Sequence, residues 1–160
     1  MKTEKTSVEG VGLKIGLITS LALLAYFFIM KALGLSHIIE LRIFNFLILA
    51  TGICYGIAKL KKDLHEQDFY LKGLAEGIYI TVIALIPFGA FLSFYLEYFD
   101  LSLMEHIKTS VAMGEYINGL TVFFVISMEG LASGAVITFC AMQYFKTELA
   151  ENEKELSRKV

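Results

Sequence analysis

The sequence is poor in charged residues, and those it has are grouped into short segments. Charged residues make up 19% of the 160 positions and hydrophobic residues 56%, whereas about a quarter of a soluble domain is charged. One small core cannot bury so many long apolar runs, which argues against a soluble helical domain. The composition is typical of a polytopic membrane protein.

Motifs for catalysis and ligand binding are also missing. The sequence has no H-E-x-x-H, no metal-ligand spacing of Cys and His, and no Gly-rich phosphate loop. It has no basic patch with interleaved aromatic residues, so we expect no nucleic acid partner. Its two cysteines, Cys54 and Cys140, fall inside apolar runs and are interpreted as small buried hydrophobes. We therefore expect no enzyme activity, no catalytic residue, no metal site and no cofactor.

Four apolar runs are long enough to cross a bilayer, which takes about twenty residues of helix. They cover residues 11–33, 43–60, 74–96 and 119–145. The first run is too long for the core of a signal peptide and follows a leader that contains acidic residues, so we expect an uncleaved anchor. The sequence predicts an all-α integral membrane protein with four transmembrane helices, forming one domain over residues 1–160.

The positions of Lys and Arg predict the orientation of these helices. Eleven of the 14 basic residues fall on one side of the predicted membrane, and the remaining three are Lys31, Arg42 and Lys108. Both termini and the 61–71 loop are therefore expected in the cytoplasm. The charged tail, residues 147–160, is expected to extend the fourth helix as a solvated face, with a docking site as the alternative.

A short outer helix is predicted between the third and fourth runs, over about residues 102–117. Ser102 and Glu105 fit a capping box, in which each side chain bonds a free backbone amide at the start of the helix. An apolar stripe follows at helical spacing: Leu103, Met104, Ile107 and Val111. The stripe predicts a helix in the membrane interface, with an ordinary capped loop helix as the alternative.

Each predicted span carries a G-x-x-x-G pair. The pairs are Gly12/Gly16, Gly52/Gly56, Gly73/Gly77 and Gly130/Gly134, which together hold eight of the 13 glycines. Such pairs let helix backbones approach closely in lipid, so the four pairs predict a glycine-packed bundle. Residues 72–85 and 129–142 also share seven residues in register. A duplication and a chance likeness of apolar helices both remain open.

Glu129 is the one residue of Asp, Glu, Lys or Arg type inside the fourth run. A carboxylate at that depth is costly in lipid, and we expect an intramembrane polar site formed by Glu129, Ser133, Tyr26 and Pro87. Pro87 removes a helical hydrogen bond and frees the Ile83 carbonyl to accept one. Three roles remain open: a proton, cation or substrate site, a neutral carboxyl bonded between helices, and a carboxylate paired with a partner's cation.

Other ionisable residues are expected to have structural roles. Lys14 and Glu76 fall at similar depth near the cytoplasmic boundary, where they either form an ion pair or both extend to the interface. On the outer side, Lys31 or Glu97 is the expected partner of the charges that open the second span, Glu40 and Arg42.

Several short motifs together resemble a known family. They are G-L-I-T at residues 16–19, Gly56-Ile57 before Lys61-Lys62-Asp63, Phe69 followed by Lys72-Gly73 and Gly77, Met104-Glu105, and the fourth-span glutamate with its glycines. The chain resembles the four-helix membrane proteins of Bacteroidota known as domain-of-unknown-function family 4199. It departs from them in the loop at 65–68 and at Leu60-Lys61. The resemblance implies a fold and a bacterial inner membrane, but no activity.

Two functions follow from these patterns. The first is an accessory or structural subunit of a larger membrane assembly, which small size, short loops and four glycine faces favour. The second is a small homo-oligomeric transporter or channel in which Glu129 couples to protons or a cation. The expected partners are the lipid bilayer and either other membrane subunits or further copies of this chain.

Overall fold

The computed structural model describes residues 8–34, 43–61, 66–110 and 114–159. Within these ranges the chain forms five α-helices and a short 3-10 turn at Gly114–Tyr116, with no strand. The helices are α1 (Val8–Ala32), α2 (Ile43–Lys61), α3 (Glu66–Tyr98), α4 (Leu101–Ser110) and α5 (Gly119–Lys159). The predicted partners Glu40 and Arg42, and Val111 of the apolar stripe, lie outside the described residues.

Four of these helices are long and apolar enough to cross a membrane, which confirms the predicted number. The qualifying segments are Gly10–Ala32, Ile43–Lys61, Phe69–Tyr98 and Gly119–Phe145. Helix α3 begins at Glu66, well before the predicted residue 74, because its first turn is polar and invisible to a search for apolar runs. Helix α5 continues through the charged tail to Lys159.

Glycine contacts give the directions of the four long helices. Residue numbers rise together where α1 meets α3, at Gly12 with Glu76 and Gly16 with Ile83. They run in opposite directions where α2 meets α1 (Gly52 with Thr19, Gly56 with Ile15) and where α5 meets α3 (Gly73 with Met142, Gly77 with Thr138). The helices therefore alternate in direction. The start of α1, the end of α2, the start of α3 and the end of the α5 span share one end of the bundle, here the terminal end.

Helix α3 is the centre of the bundle, since it packs against α1, α2, α4 and α5. The buried apolar side chains form two clusters along it. The terminal-end cluster contains Val11, Ile15, Leu49, Ile53, Ile57, Phe69, Ile80, Ala84, Ile137, Ala141 and Met142. The opposite-end cluster contains Leu23, Phe88, Leu92, Leu96, Met104 and Val122. Two separate cores therefore hold the two ends of the bundle.

Helix α4 begins at a different cap from the one predicted. The Asp100 carboxylate accepts hydrogen bonds from the Leu103 amide and the Ser102 hydroxyl, both at 3.2 Å, and the Asp100 carbonyl accepts from the Met104 amide at 3.1 Å. Asp100 is therefore the cap, because the free amides at the start of the helix bond to it, whereas the Ser102 hydroxyl itself donates to the Asp100 carboxylate. The described part of the helix runs to Ser110, and Gly114–Tyr116 form a 3-10 turn instead of continuing the helix to the predicted residue 117.

The apolar stripe of α4 faces the bundle. Met104 is buried in the opposite-end cluster, and Leu103 and Ile107 pack against that cluster. Packing on the bundle accounts for the stripe, as the loop-helix alternative expects. A position in the membrane interface stays a prediction.

The connection into α5 is fixed by a second cap. The Asn118 side-chain oxygen accepts from the Thr121 amide at 2.9 Å, and the Asn118 carbonyl accepts from the Val122 amide at 3.0 Å. The Glu97 carboxyl of α3 lies against Gly119 in the first turn of α5. A carboxylate stabilises a helix N-terminus, whose dipole is positive there.

Candidate functional site

Glu129 lies on the outer surface of the bundle, close to the middle of the Gly119–Phe145 span. It is exposed, and so are its apolar neighbours Val125 and Met128, at 57% and 68%. Among the four spans, that of α5 is the least buried in the bundle. In a membrane this face of α5 meets lipid or another protein.

The other residues of the predicted polar site are spread over three helices. Ser133 is half-buried one turn after Glu129 on α5. The Tyr26 ring of α1 lies 5.9 Å from the Phe44 ring of α2. Pro87 is half-buried inside α3, which continues without a break on both sides of it. A four-residue site around Glu129 stays a prediction.

Among the described residues the fully buried carboxyl is that of Glu76, for which the sequence left open an ion pair with Lys14 or extension of both side chains to the interface. Glu76 is 0% exposed, and neither carboxyl oxygen has a hydrogen-bond partner. Lys14 is exposed. The Lys14–Glu76 pair is therefore not formed, because the two residues share a depth but the lysine side chain points away from the bundle.

The Glu76 carboxyl occupies the space left by a missing side chain on α1. A Cβ atom on Gly12 would lie 2.9 Å and 3.0 Å from the two Glu76 oxygens and 2.7 Å from Cδ1 of Tyr79. Contacts this short require a neighbour to move, so Gly12 is what admits the carboxyl between α1 and α3. Helical depth predicted the approach of the two helices here, but gave no sign of an unpaired carboxyl.

The two segments that share seven residues in register, 72–85 of α3 and 129–142 of α5, contact each other reciprocally. Gly77 of α3 faces Thr138 of α5, and Gly134 of α5 faces Thr81 of α3; in each case an added Cβ would lie 2.5 Å from the threonine Oγ1. Thr81 and Thr138 occupy equivalent places in the two segments, as do Gly77 and Gly134. The same side chains are therefore used twice, once in each direction, across an antiparallel helix pair.

A second reciprocal pair of contacts flanks the glycine–threonine pair along the two helices. Gly73 faces the Met142 sulfur and Gly130 faces Leu85, with an added Cβ again 2.5 Å from the nearest side-chain atom. Both threonine hydroxyls also donate to a carbonyl of their own helix, Thr81 to Gly77 at 2.8 Å and Thr138 to Gly134 at 2.7 Å. These internal bonds satisfy the buried hydroxyls without a partner helix. We call the four contacts the reciprocal lock.

The opposite end of the bundle contains a polar cluster that the sequence analysis missed. The Lys31 ammonium at the end of α1 lies 2.8 Å from the Asp100 carboxylate, donates to the Tyr95 hydroxyl, and sits 4.3 Å from the centre of the Tyr95 ring. The hydrogen bond from Lys31 lowers the pKa of the Asp100 carboxyl from its usual value. Asp100 thereby both caps α4 and ties it to α1, which we call the outer clasp.

The signals for this clasp were present in the sequence but ambiguous. Lys31 lies in the last turn of α1, where a cation is favoured, and Gly34 follows in the left-handed conformation (φ 70°), with its amide bonded to the Lys31 carbonyl at 3.0 Å. Several acids lie near this membrane boundary. Composition alone could not choose Asp100 over Glu97 as the partner.

The cysteines do not have the predicted surroundings. Cys54 and Cys140 are free thiols, and both are exposed on the bundle surface instead of buried in its core. Within the described ranges there is no group of three or more His, Cys, Asp and Glu side chains that could hold a metal ion.

The four apolar helices identify the chain as a multi-pass helical membrane protein. No protein-family model matches the sequence, and neither the curated proteins nor the solved structures contain a match. The likeness to domain-of-unknown-function family 4199 therefore stays a prediction, and function has to be argued from the geometry.

Proposed function

We propose that the protein is an accessory or structural subunit of a larger membrane assembly, and that the exposed face of α5 around Glu129 is its contact surface. One observation carries the proposal: an ionisable side chain is exposed on the outside of the bundle near the middle of a span. The alternative transporter reading expects Glu129 to line an aqueous cavity inside the protein.

The energetic argument concerns what surrounds Glu129 in the membrane. An ionisable side chain at the centre of a membrane helix costs roughly 2.5–3.5 kcal/mol on insertion scales and normally faces protein or water. The exposed neighbours, including Leu120, Phe124, Val125 and Met128, are apolar. A partner helix packed over this face of α5 would take the Glu129 side chain out of contact with lipid, and the apolar neighbours would bury against the same helix.

The glycines support a different part of the proposal. Each of the eight paired glycines faces a side chain of a neighbouring helix in the same chain. They favour a glycine-packed bundle that holds this chain together, and they give no support to a partner. The case for a partner therefore depends on α5 alone.

The cellular setting is part of the same proposal. Helix directions put the start of α1 and the end of the α5 span at one end of the bundle, and the excess of Lys and Arg there favours cytoplasmic termini. The resemblance stated above is what favours a bacterial inner membrane.

Site-specific photo-crosslinking in intact cells tests the proposal directly. A photoreactive residue at Val125, Met128 or Ala132, all exposed on α5, is expected to give one discrete crosslinked product. The same residue at Ile18 or Leu21, which are as exposed on α1, is the matched control and should give diffuse lipid adducts. Equal patterns from both helices would overturn the proposal.

Particle size after gentle extraction gives the second test. A large particle with fixed co-migrating proteins is expected. Glu129→Gln should weaken it, while the matched change Glu105→Gln at an exposed position of α4 leaves it intact. A monomeric particle without co-migrating proteins, found for the wild type and for every variant, contradicts the subunit function. A small homo-oligomer would also contradict it, and flux measurements in liposomes, wild type against Glu129→Gln, would then test transport.

A further inference from the structure

The Glu76 carboxyl is enclosed between α1 and α3, and among the described residues neither of its oxygens has a hydrogen-bond partner. It is fully buried, and Gly12 provides its space. By contrast, the buried Thr19, Thr81 and Thr138 hydroxyls each donate to a carbonyl of their own helix. The bundle therefore satisfies the buried hydroxyls of these threonines but leaves its buried carboxyl unsatisfied.

An ionised carboxylate in this place would be strongly disfavoured. Burying a charge without a paired cation or hydrogen-bond donors costs more than burying any neutral polar group, and such groups normally take up a proton. A neutral carboxylic acid is polar but uncharged, so burying it costs less, and one water molecule could supply the hydrogen bonds that it needs. The geometry at Glu76 therefore selects the protonated form.

We propose that Glu76 is a proton-binding site inside the bundle, filled from the terminal end and opened by separation of α1 from α3 at Gly12. Glu76 lies within two turns of Phe69, where the apolar segment of α3 begins, and Gly12 lies close to Gly10, the first residue of the α1 segment. A proton from this side therefore crosses only a short stretch of the bundle. The site is separate from Glu129, and the proposal does not depend on the subunit function.

No neighbouring charge substitutes for the proton. The ionisable side chains described at this end of the four packed helices are Lys14 on α1, Cys54, Tyr55, Lys59 and Lys61 on α2, Tyr70, Lys72 and Tyr79 on α3, and Cys140 and Tyr144 on α5. None of them is a hydrogen-bond partner of the Glu76 carboxyl. Tyr79 approaches the same space through a ring carbon, Cδ1, and offers no charge there.

Infrared spectroscopy of the full-length protein in lipid can detect the proton directly. A protonated carboxyl has a carbonyl band that is separate from the bands of carboxylates and amides. We expect wild-type protein to show such a band at neutral pH and to lose it on titration to alkaline pH, while the amide bands show unchanged helices. Glu76→Gln should abolish the band, and Glu76→Asp should shift it.

Two further variants make the assignment specific. Glu105→Gln is the matched control, because it removes an exposed carboxyl of α4 at the opposite end of the bundle and should leave the band in place. Gly12→Ala should shift the band or its titration midpoint, since the added methyl group would contact both Glu76 oxygens. If Glu76→Gln fails to fold, the Glu76→Asp shift and the Gly12→Ala shift still carry the assignment.

Three results would overturn the proposal. A carboxyl band that survives unshifted in both Glu76 variants belongs to another residue. A Glu76 band that persists at every pH at which the helices stay folded indicates a permanent structural proton. A signal that responds to sodium or potassium at fixed pH, and not to pH itself, indicates a metal cation in place of the proton.

Discussion

The reciprocal lock between α3 and α5 predicts a specific failure when a methyl group is added to it. In Gly77→Ala the new Cβ would lie 2.5 Å from Oγ1 and 3.0 Å from Cβ of Thr138, and closer still to Cγ2. Thr138 cannot easily rotate away, because it is fully buried and its hydroxyl donates to the Gly134 carbonyl at 2.7 Å. The helices must separate instead, and overpacking of this kind costs about 1–3 kcal/mol.

A second substitution tests whether the cost arises at this contact. Thr138→Ala removes Oγ1 and Cγ2, the two atoms closest to the added methyl, and leaves only the Cβ contact at 3.0 Å. Alone it should cost roughly 0.5–1.5 kcal/mol, the range for losing a buried methyl group. Together with Gly77→Ala it should restore most of the spacing, so the double variant should be about 1 kcal/mol more stable than the sum of the single changes predicts.

Reversible unfolding in mixed micelles, followed by helical circular dichroism, measures all four free energies. Ala75→Val adds bulk at an exposed position of α3 and is the matched control, expected to change stability little. The mirror-image cycle, Gly134→Ala with Thr81→Ala, should give a coupling of the same sign and similar size. Additive losses in both cycles would refute the reciprocal lock.

Three further predictions concern the outer clasp and the orientation of the chain. Asp100→Asn keeps a good helix cap but loses the ion pair with Lys31, so it should destabilise the protein by about 0.2–1 kcal/mol. Asp100→Ala also loses the cap and should cost about 1 kcal/mol more. Unfolding free energies of the two variants test whether Asp100→Ala is the less stable. Because the folded pKa of Asp100 is lowered, its contribution should be complete above the unfolded value of about 3.9 and should disappear as the pH falls through the folded value, a loss that pH-dependent unfolding would show in wild type but not in Asp100→Asn. In a variant with Cys54 and Cys140 replaced, single cysteines placed within 1–7 and within 62–65 should both react with an impermeant maleimide only after the membrane is opened; labelling of either in sealed cells would contradict cytoplasmic termini.

The sequence predicted the parts of the fold that depend on length and polarity along one helix. Four apolar runs became four membrane-spanning helices, and the charged tail became a continuation of α5, because both properties are local. The polar first turn of α3 was missed since it extends a helix beyond its apolar part. The cap of α4 was misplaced by two residues because Asp100 and Ser102 are both good caps, and only the geometry chooses between them.

Properties that depend on the rotation of a helix about its axis were not predictable in the same way. Lys14 and Glu76 were correctly placed at one depth, but a small rotation decides whether two side chains meet between helices or point to opposite sides. The same uncertainty put Cys54 and Cys140 in the core, although both lie on the surface. A single sequence gives each residue's depth much more firmly than the neighbour it faces.

The contacts of α3 and α5 also explain why their sequences echo each other. The shared glycines and threonines are the residues that meet in the reciprocal lock, so one packing requirement acting on both helices accounts for three of the seven shared positions. The ionisable residues do not follow the echo: Glu76 corresponds to Ser133, and Glu129 corresponds to Lys72. One carboxyl is enclosed against α1 and the other faces outward from α5. Since packing does not require either carboxyl, Glu76 and Glu129 are the positions where substitutions should separate function from stability.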